Sequence, residues 1–161
     1  MRRLPVLLAT LLALVLVTAG CGGSDNDKAT SKQDYGKQLA AAGQTLQKTF
    51  ADIGDATGST TSSKQIGDRL DKGASALDDA AAKFGAITPP AEAKSAHQKL
   101  VDGLKELAGV FRKGADAARK NDTATLTKAL QGLASSDGVK KITQAQEELK
   151  AKGITVTTAS K

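Results

Sequence analysis

Three titratable side chains in this 161-residue chain are alone in their type. Two of them come first as candidates for chemistry, Cys21, the one cysteine, and His97, the one histidine; Tyr35 is the one tyrosine. A thiol can be acylated, oxidised or bound to a metal, but a lone one cannot form a disulfide within its own chain, so stapling of the fold is excluded. What precedes Cys21 narrows the choice. Arg2 and Arg3 are followed by an apolar run of about 14 residues, positions 4–17, and then by Ala19-Gly20 directly before the sulfur. A cationic end, an apolar core and a small pair are the three parts of an export signal. The run is shorter than the roughly 20 residues a spanning helix needs, so a cleaved signal is expected and not a permanent membrane helix.

The stretch Thr18-Ala19-Gly20-Cys21 resembles the lipobox of bacterial lipoproteins, whose usual pattern is Leu-(Ala/Ser)-(Gly/Ala)-Cys. Ala19, Gly20 and Cys21 match it, and Thr18 stands where Leu is usual. The resemblance implies cleavage between Gly20 and Cys21, a diacylglycerol on the Cys21 sulfur and an acyl chain such as palmitate on its amine. The mature protein is then held to the extracytoplasmic face of the cell membrane. Each buried methylene contributes about 0.8 kcal/mol and one chain binds only marginally, so two or three chains make a stable anchor.

The remaining groups offer little for catalysis. A metal site needs three or four converging ligands, and the Glu-x-x-His pair of bundle di-iron sites is missing because Lys94 stands three residues before His97. Haem would need an axial His or Met, and Met1 leaves with the signal. Neither a Gly-x-Ser-x-Gly elbow nor a Ser-x-x-Lys pair occurs. Asp78-Asp79 and Glu147-Glu148 are adjacent in sequence, which makes their side chains diverge on a helix. Asn121-Asp122-Thr123 has the form of a glycosylation acceptor but reads as a turn and a cap. No cofactor, no metal and no enzymatic activity are expected.

The elements that position these residues are helical. After Cys21, residues 22–31 are small and polar, a flexible tether that reaches about 33–36 Å when extended. Then Tyr35, Leu39, Ala42, Leu46, Phe50 and Ile53 recur at helical spacing, and residues 57–61 have linker chemistry. Ser62 with Gln65 forms a capping box for a second helix with its seam at Ile66, Leu70, Gly73, Leu77, Ala80, Phe84 and Ile87. Thr88-Pro89-Pro90 closes that helix and opens a third. The third carries Ala93, His97, Leu100, Leu104, Leu107, Phe111, Gly114 and Ala118 on one face.

In the fourth segment the face begins at Leu126, Leu130 and Leu133 and resumes out of phase at Val139, Ile142, Gln146 and Leu149. A kink or break near Gly138 is expected, with Gly153 as the C-terminal cap. Residues 154–161 read as a frayed or loosely docked tail.

Four amphipathic segments with short connections can bury their stripes only against one another. The fold expected is all-α, an antiparallel up-down-up-down four-helix bundle over residues 32–153, preceded by a signal (1–20) and a tether (21–31). Glycines at 36, 43, 67, 73, 103 and 114, among others, fall inside these helices. Each costs about 0.8–1 kcal/mol relative to Ala unless close packing offsets it, which predicts thin, closely packed helices. The alternation of direction brings His97 into one layer with Tyr35, with Phe84 or Ile87, and with Gln146 or Leu149. His97, Tyr35 and Gln146 are thus the candidate buried polar layer or ligand contact.

The chain carries a formal charge of +6; without Arg2 and Arg3 it keeps 21 basic and 17 acidic residues, a charge of +4. With no clustered basic face, no Trp, and only Tyr35, Phe50, Phe84 and Phe111 as aromatics, nucleic acid is not an expected partner. A mild positive charge reads as a solvated surface that weakly favours anionic lipid or cell-wall polymer, and an envelope protein is the other partner expected. Thr88-Pro89-Pro90-Ala91-Glu92, leading to His97 and Leu100, is similar to the small Ala/Lys-rich helical lipoproteins of high-GC Gram-positive bacteria, a resemblance that implies no activity. The reading is a non-enzymatic envelope lipoprotein; the alternative is a carrier of a small apolar ligand or lipid within the bundle. The oligomeric state is not set by these features.

Overall fold

The computed structural model describes residues 30–55 and 62–156. The expected signal, Cys21, most of the tether, residues 57–61, the side chain of Ile53 and the end of the tail lie outside the described residues.

Five α-helices follow in order: α1 (Lys32–Asp55), α2 (Ser63–Gly85), α3 (Lys94–Arg119), α4 (Thr123–Gly132) and α5 (Asp137–Ala151), with a 3-10 turn at Ala91–Ala93 leading into α3. Together α4 and α5 form the fourth member of the expected four-helix bundle. Every α-helix start has a polar cap except that of α3, which follows Ala93 of the 3-10 turn without a side-chain cap. The Ser31 hydroxyl accepts from the Asp34 amide at 3.1 Å, Ser62 and Gln65 complete the capping box, and Asp122 accepts from the Thr125 amide at 2.9 Å. These caps satisfy amides that have no partner inside the first turn.

Two helix ends close in the same way. Asn121 (φ 54°) and Gly153 (φ 71°) adopt the left-handed conformation. Beyond each, a backward pair of bonds forms, Asp122 N–H to the Ala117 carbonyl at 2.9 Å and Ile154 N–H to the Leu149 carbonyl at 2.9 Å. This is the Schellman closure, in which the residue after the left-handed one turns back onto the helix. Gly153 therefore acts as the cap expected of it.

The centre of the bundle is α3, with α2 on one flank and α5 and α4 on the other. Arg112 pairs with Asp78 and Arg119 with Asp71, while Lys99 pairs with Glu148 and Glu106 with Lys141. The partner's number falls as that of α3 rises, so both neighbours run antiparallel to it. These pairs are partly exposed and contribute about 0–1 kcal/mol each, setting register more than stability. Because α3 is flanked on both sides, it buries Ala96, Val101, Gly103, Ala108 and Ala115 beside the expected seam.

Two expectations need correction, while the break expected near Gly138 is present, at residues 133–136. There the Ser136 hydroxyl donates to the Leu133 carbonyl at 2.7 Å and accepts from the Val139 amide at 3.3 Å, so a serine switch between turn and cap makes the break.

The buried face of α5 is Gly138, Ile142, Ala145 and Leu149, one position away from Val139 and Gln146; Val139 is half-buried and Gln146 is exposed. Small residues win this face because α5 must approach the backbone of α3 at Gly103.

The start of the tail is also docked. Ile154 is 2% exposed, and a Cβ on Gly36 would lie 2.6 Å from the Thr155 carbonyl oxygen. Burying an isoleucine in the core offsets the ordering of these few residues.

Candidate functional site

At one end of the bundle five segments converge: the start of α1, the end of α2, the start of α3, the end of α5 and the docked residues after it. Tyr35 lies there because Ser31 fixes the first turn of α1, and His97 because the Pro90 corner and the 3-10 turn launch α3. Tyr35 is 0% and His97 7% exposed. The hydroxyl of Tyr35 and Nδ1 of His97 are 2.8 Å apart, with ring centroids 5.8 Å apart at an interplanar angle of 51°.

The direction of this bond follows from the surroundings. Burial pushes the Tyr35 phenol up to about 12 and holds the His97 imidazolium below its ordinary range, so at neutral pH the phenol is protonated and the ring neutral. Tyr35 O–H therefore donates and Nδ1 accepts, which places the ring proton on Nε2. The reverse arrangement would leave the phenol proton of a fully buried residue without an acceptor.

Of the three residues expected in a polar layer, the structure brings together Tyr35 and His97. Gln146 points to solvent, and Leu149 takes the α5 position in this layer, alongside Phe84 of α2 in the same buried cluster.

Lys32 was not anticipated. Its ammonium donates to the Lys152 carbonyl at 3.0 Å and pairs with Glu92 at 3.3 Å, tying α1 to the end of α5 and to the 3-10 turn. Its own backbone amide and the Lys32 cation hold the Glu92 carboxyl below the usual range. Nothing in the periodicity marks Lys32, because its partners are a carbonyl from the far end of the chain and a side chain from its middle. Ile154 did carry a signal: an apolar residue directly after a capping glycine is the usual companion of the closure seen here.

Of the adjacent carboxylates, Asp78 is occupied by Arg112 and Glu148 by Lys99, with Asp79 and Glu147 exposed. Among the described residues, no group of three or more His, Cys, Asp or Glu converges as metal ligands. No described helix is long and apolar enough to cross a membrane.

A shallow apolar cleft lies elsewhere, between α2, α3 and α4, lined by Leu70, Val110, Phe111, Gly114, Ala129, Leu130 and Leu133. Leu130 is 52% exposed, and α4 has no fully buried residue. Along α3 the cleft lies about 20–25 Å from His97, at 1.5 Å per residue. The described chain enters α1 at the Tyr35 end, so the cleft belongs to the far half of the bundle.

Comparison with protein-family models, with curated proteins and with solved structures gives no significant match for this chain.

Proposed function

We propose that the chain is a membrane-anchored extracytoplasmic lipoprotein, cleaved after Gly20 and lipidated on Cys21, that displays a helical module to the cell envelope without catalysing a reaction. The observation that carries this reading is Ala19-Gly20-Cys21 placed directly after a cationic, apolar leader. Supporting it are the small polar stretch that follows and a bundle whose first helix begins at one end, leaving the far half free to meet an envelope protein or wall polymer. The test is fractionation of the native host. The protein sediments with membranes and partitions into the detergent phase, and a Cys21→Ser variant is released or accumulates with its leader attached; a variant that loses its leader and still partitions as wild type would reject the anchor.

A second reading is a bundle that carries a small apolar ligand or lipid; it requires the shallow cleft of Leu70, Val110, Phe111 and Leu130, which has room for about one water, to open. Native mass spectrometry of protein from its host tests this: a bound lipid lost from a Gly114→Leu variant supports the carrier, and a bare polypeptide mass removes it.

A further inference from the structure

We propose that the Tyr35–His97 bond is an acid-sensitive latch: when His97 takes up a proton, the first turns of α1 and the docked residues from Ile154 onward leave the bundle, while α2, α3 and α5 stay assembled. The starting point is how α1 is attached. Its backbone packs on α2 and stands off from α3. Two aromatic bridges span that gap, Tyr35 to His97 at one end and Phe50 to Phe111 at the other, with centroids 5.8 and 5.9 Å apart. Only the first contains a group that titrates near neutral pH.

At 2.8 Å the bond has room for one proton, and that proton belongs to the phenol. A protonated His97 carries N–H on Nδ1, so two donors face each other. Tyr35 must then turn its proton into surroundings where it is 0% exposed and has no second acceptor, or the contact must open.

The neighbouring groups do not soften this. From α1 the titratable neighbour is Tyr35 itself, whose phenol stays protonated up to about 12. The α2 and α5 side chains of the same cluster, Phe84 and Leu149, are uncharged, as are Ala93, Ala96 and Val101 along the chain from His97. Of the charged groups of this end, Lys32 pairs with Glu92 and Lys99 with Glu148, and Lys94 and Lys152 add further positive charge, which also disfavours the imidazolium. Burial lowers the basicity of His97.

The release is local because the other helix pairs use contacts that hold no imidazole. Arg112 and Arg119 link α3 to α2, and Gly103 against Gly138 with Glu106–Lys141 links α3 to α5. The first turns of α1 take the C-terminal residues with them, since Gly36 lies against the Thr155 carbonyl and Lys32 binds the Lys152 carbonyl.

The test is amide hydrogen exchange on the full chain in detergent from pH 8 to pH 4.5, corrected for intrinsic rates, alongside NMR titration of the His97 ring. The expected result is a tenfold or greater loss of protection in the first turns of α1 and at Ile154, with the midpoint of the ring titration and with α2 and α3 unchanged. In His97→Gln, and in Tyr35→Phe/His97→Leu should the single variant fail to fold, that step disappears. Flat protection in α1 across the ring titration, the same step in the His97 variants, or simultaneous loss in all helices would overturn the latch.

Discussion

Gly103 of α3 and Gly138 of α5 face each other so closely that a Cβ built on either would lie 2.7 Å from the other's carbonyl oxygen. Gly103 would also meet the Ile142 side chain at 2.7 Å. The two backbones touch here, and the glycines that weaken each helix are what permit it. Gly103→Ala is therefore expected to destabilise the protein by about 1–3 kcal/mol through overpacking, despite a gain in helix propensity. Gly109→Ala, where nothing lies within 4 Å, is expected to stabilise it by about 0.5–1 kcal/mol. Urea unfolding of the two variants reads both signs, and equal effects would contradict the packing described.

The buried Tyr35–His97 pair gives stability a pH dependence on both sides of neutrality. His97 has a folded-state pKa below its ordinary 6.5, so its neutral form is favoured in the fold. That contribution is fully present above the unfolded value and is lost as pH falls through the folded one. Tyr35, raised from 10.0 to about 12, works in the opposite direction. The unfolded phenol ionises first, so stability declines as pH rises above about 10. At neutral pH, Tyr35→Phe leaves Nδ1 without its donor and is expected to cost about 1–3 kcal/mol. Urea midpoints across pH check this, and an acid limb unchanged by replacing both residues would refute it.

Ile154 lies after the capping Gly153, and its amide bonds the Leu149 carbonyl at 2.9 Å. With 2% exposure it belongs to the core. Ile154→Ala is expected to cost about 2–4 kcal/mol. Val156→Ser, at a site 43% exposed, stays within about 0.5 kcal/mol. Thermal unfolding compares them directly, and a neutral Ile154 variant would show that the tail does not dock.

How far the fold could be read from sequence depended on how strongly each contact is written in hydropathy. The seam of α2 through Leu77, Ala80 and Phe84, the Ser62–Gln65 box and the Asn121-Asp122 turn were legible, because large apolar residues and capping side chains repeat at fixed spacing. The face of α5 was misread by one position. Its contact residues, Gly138 and Ala145, are small and carry almost no apolar signal, while Val139 beside them does. The second buried stripe of α3, with Ala96, Gly103 and Ala108, was missed for the same reason. The meeting of Tyr35 and His97 could be inferred from the alternation of helix direction, whereas the clamp made by Lys32 rests on a carbonyl and could not.

Anchoring at Cys21 is tested most directly by the mass of the N-terminal peptide from the native host. The expected peptide begins at Cys21 with a diacylglycerol on sulfur and an acyl chain on the amine. A peptide beginning at Met1, or a Cys21 with a free thiol, would contradict the anchoring.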